Sequence, residues 1–486
     1  MKQLSGTDNL FLTMEKGNQM AHVATLGIYD PSTAPTGQVR FKAILDFFSS
    51  RLNHAQLFRR RLVRTPLDLD RPYWVDDPTI DIEYHVRHIA LPKPGDWRQL
   101  CIQVARLHAR PIDFSRPPWE AYVIEGLDNI PGLRSGCFAV YNKMHHSLVD
   151  GGAGVEVIKL LHSLTPEPDD AYGEDRHWVT IADREPTALE LLTRTVGTRF
   201  TRVLGAAKLS VELGSTALRI GQEQFGKLVK PVDGETADLM SQLSRAPTTR
   251  FSGKVSPHRV VDALPLSLDQ MKTIREAFPG TTVNDIFMSV CGGALRRYLS
   301  SKDELPIATL SAMIPMSTRS GKGEADEGNK IGTVAMKLFT DIEDDGERLR
   351  ATMLETERAK QSAEALGRDL QAKLFDVIPT AVADFLVNKI VTPTANLTVS
   401  NVRGPNVPLY TAGAKLVTFM PVSMVMDGMG LNITGFSYNG ALWVCTIACR
   451  NMMPDPAFFT QCIRDSFDAH LAAGAPVKPK GGPKKR

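Results

Sequence analysis

The seven residues 145–151, HHSLVDG, constrain the fold of this chain more than any other segment. The stretch 136–141 before them, GCFAVY, is apolar and rich in strand-forming residues. After them, the apolar residues between 157 and 164 recur at the spacing of one helix face. Asp150 and Gly151 form the kind of dipeptide that makes a tight turn. We therefore predict a strand that ends at the histidine pair and is followed by a turn and a helix.

The pair His145 and His146 is also the best candidate for chemistry. Histidine has an unperturbed pKa of about 6.5, which suits it to take a proton from an alcohol, amine or thiol near neutral pH. A single histidine at a strand end is more often a hydrogen-bonded structural residue than a catalyst. Two histidines, an acid and a glycine at a strand-to-helix junction are a much rarer combination. We expect one histidine to be a base and the other to fix the loop or pack beside it.

The length and charge of the chain limit its architecture and its partners. With 486 residues it exceeds what one hydrophobic core usually accommodates, so we expect two domains or one two-lobed unit. Hydrophobic residues make up 43% and charged residues 23%, which is typical of a globular protein in water. The net charge of +3 is almost balanced. This balance argues against nucleic acid as the main partner.

Two α/β regions are predicted along the chain. The first, residues 1–180, carries HHSLVDG and mixes strands with helices, such as a strand over 22–29 and a helix over 97–108. The second region is residues 254–472, and its apolar stretch 416–426 is predicted to be a strand. The fold class is therefore α/β, in two halves.

The segments outside these two regions have a different composition. Residues 181–253 are predicted to be a helical crossover or linker, because residues 187–226 have an amphipathic pattern with several arginines. Such a helix either packs on the protein, which we favour, or lies on an anionic membrane surface. Residues 473–486 are predicted to be a basic flexible tail. Its five basic residues either contact acidic lipid headgroups or simply keep the chain soluble.

Neither export nor a membrane span is expected from the sequence. The first residues lack the charged-then-apolar pattern of a signal peptide. The longest uncharged run, residues 428–449, contains Asn439 and Gly440, and this dipeptide predicts a hairpin rather than a membrane helix. The six cysteines show no paired spacing that would suggest zinc, so we expect small buried thiols in a reducing compartment and no metal. A cytoplasmic location follows as an expectation.

Several motifs together resemble a known family. HHSLVDG resembles the signature of the acyl-CoA-dependent acyltransferases that include chloramphenicol acetyltransferase and peptide-synthetase condensation domains. The further landmarks resemble the bacterial wax ester synthase/diacylglycerol O-acyltransferases; they are Leu4 to Asp8 with His22 and Val23, Arg116 to Glu120, Val283 to Ile286 leading into Gly292 to Arg296, and Ser400 to Pro405. One departure is Pro118, where that family usually has leucine. The landmarks follow the order found in the family from residue 4 to about 450.

This resemblance implies a fold, substrates and residue roles. The fold would be two chloramphenicol-acetyltransferase-like domains with an active-site tunnel between them. The donor would be acyl-CoA, and the acceptor would be diacylglycerol, a long-chain fatty alcohol or both. His146 would be the general base in direct transfer, with His145 supporting the geometry and Asp150 anchoring the loop. No cofactor is implied, since acyl-CoA is a substrate, and the residues that contact CoA stay unassigned.

Two residues of the landmarks have competing interpretations. Asn284 is the second catalytic candidate, because an amide near the tunnel can donate to a developing oxyanion or orient the acceptor. The same stretch, Thr282 to Asp285, has the T-x-x-D form of a helix start, so it can equally be a cap. Trp119 is more often core than substrate wall.

Two rival functions stay open at this point. One is a condensation-type acyltransferase that uses carrier-protein thioesters, although this chain shows no attached carrier. The other is a non-catalytic lipid-droplet or acyl-binding protein of the same fold. If the chain is an acyltransferase that makes lipid esters, we expect it to associate peripherally with a membrane or with lipid droplets. A free-acyl-CoA assay separates the first rival from the lipid enzyme.

Overall fold

The computed structural model describes residues 1–52, 54–149, 151–167, 184–195, 197–198, 245–317, 331–365, 375–376 and 378–474. Asp150, most of the predicted linker and the tail beyond Gly474 lie outside these residues. Within the linker, residues 188–195 are helical, in agreement with the start of the predicted amphipathic helix.

The helices that position the site come from both halves of the chain. In chain order they are α1 (Gly6–Met14), α2 (Phe41–Leu52), α3 (Ile82–His85), α4 (Trp97–His108), α5 (Gly151–Leu160), α6 (Leu268–Ala277), α7 (Val283–Ser300), α8 (Asp345–Ala365), α9 (Thr380–Leu386) and α10 (Pro456–Gly474). A π-helical turn, Val387–Val391, continues α9. The helix predicted over 97–108 is confirmed at both ends.

The strands in chain order are β1 (Lys2–Gln3), β2 (His22–Asp30), β3 (Arg60–Val63), β4 (Tyr73–Asp76), β5 (Val86–Ala90), β6 (Trp119–Glu125), β7 (Phe138–His145), β8 (Arg259–Ser267), β9 (Ser311–Ser317), β10 (Ile331–Lys337), β11 (Leu397–Arg403), β12 (Tyr410–Thr411), β13 (Ala414–Val422), β14 (Leu431–Tyr438) and β15 (Ala441–Cys449). They form two six-stranded sheets and a small sheet of order β1-β4-β3. The predicted α/β class is confirmed.

The first sheet carries the histidine pair. Its strand order is β12-β13-β2-β7-β6-β5, so β7 is an inner strand, antiparallel to both β2 and β6. All eight residues of β7 are buried. The strand predicted over 22–29 is β2, which confirms that prediction. The end of β7 is therefore held on both sides by backbone hydrogen bonds rather than lying on a free edge.

One segment of the second half belongs to the first sheet. The predicted strand at 416–426 is β13, and it pairs antiparallel with β2, from Lys415 opposite Asp30 to Val422 opposite Ala24. The division of the chain at residue 254 stays a prediction. The structure adds that residues 410–422 cross over to complete the sheet of the first half.

The second sheet has the order β10-β9-β11-β14-β15-β8. β14 and β15 form the hairpin predicted at Asn439 and Gly440, with Tyr438 opposite Ala441. Both turn residues have positive φ, 43° at Asn439 and 86° at Gly440, as a two-residue turn of this kind requires. The hairpin prediction is confirmed, and the uncharged run is sheet rather than a membrane helix.

The two halves share one hydrophobic core. It runs from Leu26 and Ile28 of β2, through Leu100 and Val104 of α4, to the strands of the second sheet. α4 packs against β8, and there the indole Nε1 of Trp97 donates a hydrogen bond to Asp262 Oδ1 at 2.7 Å. The halves are therefore lobes of one packed unit, because separating them would expose apolar core.

A pair of glycines lets α7 approach its neighbours closely. A Cβ on Gly292 would lie 2.1 Å from the carbonyl oxygen of Leu338, and one on Gly293 would lie 2.3 Å from Ser466 Oγ. Such distances are shorter than real contacts allow. The glycines of this landmark are therefore explained by the packing of α7 against the end of β10 and against α10.

We predict opposite stability effects for two glycine-to-alanine changes in helices. In Gly292→Ala the clash is with backbone, and overpacking of this kind typically costs about 1–3 kcal/mol. At 2.1 Å we expect the upper end of that range, which exceeds the gain of about 1 kcal/mol from better helix propensity. Among the described residues, a Cβ on Gly154 in α5 meets no heavy atom outside its own helix within 4 Å, so Gly154→Ala should be neutral or stabilising. Thermal and urea unfolding measure both; a more stable Gly292→Ala variant would contradict the packing argument.

Candidate active site

Both histidines of the pair stand at the end of β7, as the sequence predicts. His145 lies opposite His22 of β2. Its backbone N–H donates to the carbonyl of Pro118 at 3.0 Å, and the N–H of His146 donates to the carbonyl of Ala21 at 2.8 Å. One histidine is thus tied toward β6 and the other toward β2. α5 begins at Gly151, which confirms the strand-to-helix junction.

The ring of His146 is half-buried and stacked on an aromatic neighbour. Phe11 of α1 lies parallel to it, with ring centroids 3.9 Å apart and an interplanar angle of 11°. The Nδ1 atom of His146 is shielded from solvent. The stacking limits rotation of the His146 ring.

The ring of His145 is fully buried and its hydrogen bonds define a tautomer. The backbone N–H of Ser147 donates to His145 Nδ1 at 3.1 Å, and the Ser147 hydroxyl lies 2.6 Å from the same nitrogen. Because a backbone N–H can only donate, Nδ1 is an acceptor and the neutral ring carries its proton on Nε2. That Nε2 lies 3.5 Å from Glu15 Oε1. His145 is therefore bonded to Ser147 in the turn that follows it, and its supporting role stays a prediction.

Glu15, just beyond the end of α1, is the carboxylate behind the pair. Its Oε1 accepts the backbone N–H of Ala21 at 2.8 Å and lies 3.3 Å from His22 Nε2. Burial alone would raise the pKa of Glu15, but hydrogen bonds from His145 and His22 outweigh burial and hold that pKa far below its usual range. The carboxylate is thus ionised at neutral pH. Sequence analysis missed Glu15, because no periodicity or motif marks it.

A second group of buried polar residues supports the sheet behind Glu15. Burial lowers the pKa of His22 and, more strongly, that of His108, so both rings are neutral at neutral pH. His108 Nδ1 lies 2.8 Å from the hydroxyl of Tyr141. The buried ammonium of Lys143 donates to two α4-region carbonyls at 3.1 Å each and lies 3.2 Å from Glu120. Each of these side chains has at least one polar partner, as burial requires.

Of the two remaining catalytic candidates, Asp150 and Asn284, the structure describes only Asn284. Asp150 lies outside the described residues. Asn284 is in the first turn of α7, half-buried, and its Oδ1 accepts from Asn401 Nδ2 at 3.3 Å. Two of the family-like landmarks, residues 283–286 and 400–405, therefore meet in space. The contact lies in the second lobe, between α7 and β11.

The helix start at Thr282 is a true capping box. Thr282 Oγ1 accepts the backbone N–H of Asp285 at 3.2 Å, and Asp285 Oδ2 accepts the backbone N–H of Thr282 at 2.8 Å. Capping is thus performed by Thr282 and Asp285, while the side chain of Asn284 points to another partner. The capping interpretation accounts for the motif but not for Asn284.

Trp119 belongs to the core, as expected. It is 3% exposed, its indole stacks on His85 at 4.3 Å, and its Nε1 donates to the carbonyl of Phe58 at 2.9 Å. Gly404 is likewise required by packing, since a Cβ there would lie 2.2 Å from the ring of Phe436. Trp119 and Gly404 are therefore both accounted for by packing.

A cleft of about 430 Å³ opens between α1 and α9 and reaches Glu15. Its lining residues are Asn9, Leu12, Thr13, Glu15, Lys16, Arg64, Thr380 and Asp384. Lys16 and Asp384 form an ion pair across it at 2.8 Å. The tunnel expected between the lobes stays a prediction, and the cleft has Glu15 among its lining residues.

Comparison with known families covers nearly the whole chain. The model of the wax ester synthase/diacylglycerol acyltransferase catalytic domain matches residues 4–287. The model of the WS/DGAT C-terminal domain matches residues 327–470. The first match extends beyond the first sheet and includes β8, α6 and the start of α7.

Relatives of full length agree with these matches. The O-acyltransferase WSD of Acinetobacter baylyi is 32% identical over 462 residues, covering 93% of this chain and 93% of the relative. A putative diacylglycerol O-acyltransferase of Mycobacterium tuberculosis is 32% identical over 469 residues, covering 94% and 87%.

Solved structures show the same fold. The wax ester synthase/diacylglycerol acyltransferase of Marinobacter aquaeolei VT8 superposes with a TM-score of 0.68 at 28% identity, covering 98% of this chain and 100% of that one. The first condensation domain of the calcium-dependent antibiotic synthetase superposes with a TM-score of 0.58 at 11% identity, covering 98% and 96%. The second likeness concerns the fold alone.

We predict that Thr282→Ala lowers the free energy of unfolding more than Asn284→Ala does. Thr282→Ala removes one half of the capping box, and loss of an N-cap typically costs about 0.5–2 kcal/mol. Asn284→Ala loses one half-exposed hydrogen bond and should cost less than Thr282→Ala. Urea unfolding of both variants measures the difference; a larger loss in Asn284→Ala would make Asn284 part of the structural cap.

Proposed function

The chain belongs to the wax ester synthase/diacylglycerol acyltransferase family and is an O-acyltransferase, and we propose that His146 is the general base of its acyl transfer. The donor is acyl-CoA, and the acceptor is diacylglycerol, a long-chain fatty alcohol or both. The products are accordingly triacylglycerol, wax esters or both. Acyl-CoA is a substrate, so the transfer uses no further cofactor.

In the proposed reaction His146 acts on the acceptor hydroxyl. It takes the hydroxyl proton as the oxygen attacks the thioester carbonyl, which gives a tetrahedral intermediate. The C–S bond then breaks, and protonated His146 returns the proton to the CoA thiolate, leaving an ester and CoA thiol. Proton transfer of this kind typically contributes about 100- to 10,000-fold to a rate. No acyl-enzyme is needed when donor and acceptor meet directly.

The placement of His146 is the observation that carries this proposal. Its backbone is held to β2 through Ala21, and its ring is stacked on Phe11 with Nδ1 shielded. A ring fixed in this way presents Nε2 without having to reorganise, which is what general-base catalysis needs. His145 is fully buried and cannot meet a large substrate without unfolding the turn.

The other predicted site residues complete the proposal. Asp150 anchors the loop between the strand and α5. Asn284 orients the acceptor or donates a hydrogen bond to the oxyanion. Its Oδ1 accepts a hydrogen bond from Asn401, so its Nδ2 is the atom that would donate to a substrate oxygen. A donor to the oxyanion is typically worth about 100- to 1,000-fold in kcat. In this proposal each lobe contributes one side chain to the reaction, His146 from the first and Asn284 from the second.

We expect His146→Ala to lose nearly all release of CoA thiol from palmitoyl-CoA with either hexadecanol or diacylglycerol. The reason is the loss of the base, so kcat should fall about 100- to 10,000-fold while unfolding stays unchanged. His88→Ala is the matched control, since His88 is a half-exposed, aromatic-stacked histidine on β5 of the same sheet. Near-normal activity of His146→Ala would refute the assigned base.

The same assay separates the rival functions and ranks the acceptors. Activity with free palmitoyl-CoA excludes an obligate carrier-protein thioester, and turnover excludes a purely lipid-binding protein. Offering hexadecanol and diacylglycerol together, with the two ester products separated chromatographically, gives the ratio of the two kcat/KM values.

We also propose that the enzyme works at a lipid surface, as a peripheral protein. Among the described residues, no helix is both long and apolar enough to cross a bilayer. Its acceptors are lipids, and α9 with its π-helical continuation exposes three large apolar side chains, Val382 at 45%, Phe385 at 59% and Ile390 at 43%. Lys389 lies among them. Apolar side chains beside a basic one suit an interface with anionic headgroups.

We predict that Phe385→Ser weakens binding to vesicles of phosphatidylglycerol and phosphatidylcholine that contain diacylglycerol. Burial of a phenylalanine side chain is worth about 1.5–3 kcal/mol, which corresponds to about 10- to 100-fold in partitioning. Phe458→Ser is the control, because Phe458 is 42% exposed on α10, beside Tyr298 and Lys302. Equal binding by both variants, measured by vesicle sedimentation, would rule out α9 as the contact.

A further inference from the structure

The groups around His146 are held by one carboxylate oxygen. Oε1 of Glu15 accepts the backbone N–H of Ala21 at 2.8 Å, lies 3.3 Å from His22 Nε2 and lies 3.5 Å from His145 Nε2. These three groups come from two neighbouring strand ends. The carboxylate is 14% exposed.

We propose that Glu15 is a positioning residue of the acyl-transfer site, which acts through Ala21 and His145 on either side of His146. The proposal rests on the proposed function of His146 as the base. Glu15 itself touches neither substrate in the proposed reaction, so its effect is on the geometry of the base.

The first route runs through the backbone. Glu15 fixes the N–H of Ala21, and the carbonyl of Ala21 accepts the backbone N–H of His146 at 2.8 Å. A shift of Ala21 therefore displaces His146 directly. The residues between Glu15 and Ala21 form no regular helix or strand, so Glu15 supplies a fixed point that the sheet alone does not provide.

The second route runs through the ring of His145. Ser147 N–H occupies Nδ1, so the proton of the neutral ring points from Nε2 toward Glu15. An ionised carboxylate favours this tautomer over the one protonated on Nδ1, because the latter would lose both the Ser147 bond and the attraction to Glu15. Glu15 thus keeps the turn after His146 in a single conformation.

The polar groups facing Glu15 are consistent with an ionised carboxylate. The rings of His22 and His145 face it directly. The buried ammonium of Lys143 on β7 acts on His22 and pairs with Glu120. Lys16 lines the cleft beside Glu15 and pairs with Asp384. A carboxylate that accepts several N–H groups is stabilised in its charged form.

The test compares Glu15→Ala with Glu125→Ala in the palmitoyl-CoA assay. Glu125 is the matched control, since it pairs with a histidine, His88 Nε2 at 3.0 Å, on the same sheet but away from His146. Misplacement of a catalytic group by about 1 Å can cost about 100-fold, so kcat of Glu15→Ala should fall about 10- to 100-fold with KM unchanged. Glu125→Ala should retain wild-type kcat.

Recovery of kcat on addition of formate distinguishes a positioning role of Glu15 from a purely structural one. The cleft reaches Glu15, so formate can enter the space left by Glu15→Ala and accept the same N–H groups. We expect formate to raise kcat of Glu15→Ala several-fold, and chloride at equal ionic strength to have no effect. Glu15→Gln, which keeps the size and one acceptor oxygen, should be folded and intermediate in kcat, and it replaces the alanine variant if that variant unfolds.

Three outcomes overturn the positioning role: wild-type kcat in the folded Glu15 variants, a rise in KM without a fall in kcat, or a loss of kcat that formate does not relieve in a folded Glu15→Ala. The proposed base is judged separately by His146→Ala. Activity in His146→Ala would refute the base whatever Glu15 does. An inactive His146→Ala together with a fully active Glu15→Ala would refute only the positioning role.

Discussion

The register of β7 between β2 and β6 is the constraint on which the site depends. Successive side chains of a strand point to opposite faces, so the two adjacent histidines at the end of β7 must separate. His145 goes into the core and is fully buried, while His146 is half-buried against Phe11. A slip of one residue would move His145 and its hydrogen bonds to the opposite face of the sheet, which packs against a different core cluster. The inner position of β7, paired on both sides, opposes such a slip.

The second constraint is the joining of the two lobes. β13 leaves the second half of the chain to pair with β2, and α4 of the first half packs on β8 of the second. β2 is also the strand that carries His22 and follows Ala21. The strand that supports His146 is therefore itself paired with a segment from the other lobe. One continuous core joins β7, through Ala139 and Tyr141, to the first turns of α7, through Ile286 and Phe287.

Local patterns predicted much of this structure, and long-range placement much less. Periodicity located α4 and β2, and the Asn439-Gly440 turn identified the hairpin, because these features depend on neighbouring residues. The exchange of β13 was missed, since a strand pattern does not specify its partner. Glu15 was missed because its role arises only when residues near 15, 22 and 145 meet. Asn284 was placed on the correct helix, but its partner Asn401 lies 117 residues away in sequence.

Pro118, which departs from the family pattern, is compatible with the pairing of β7 and β6. Proline lacks a backbone N–H, so it is disfavoured inside a sheet but tolerated where a strand begins. β6 begins at Trp119, directly after Pro118. Only the carbonyl of Pro118 is needed at the site, where it accepts the N–H of His145 at 3.0 Å. Proline retains this carbonyl acceptor. The presence of proline instead of leucine at position 118 therefore preserves the hydrogen bond from His145 that links it to the start of β6.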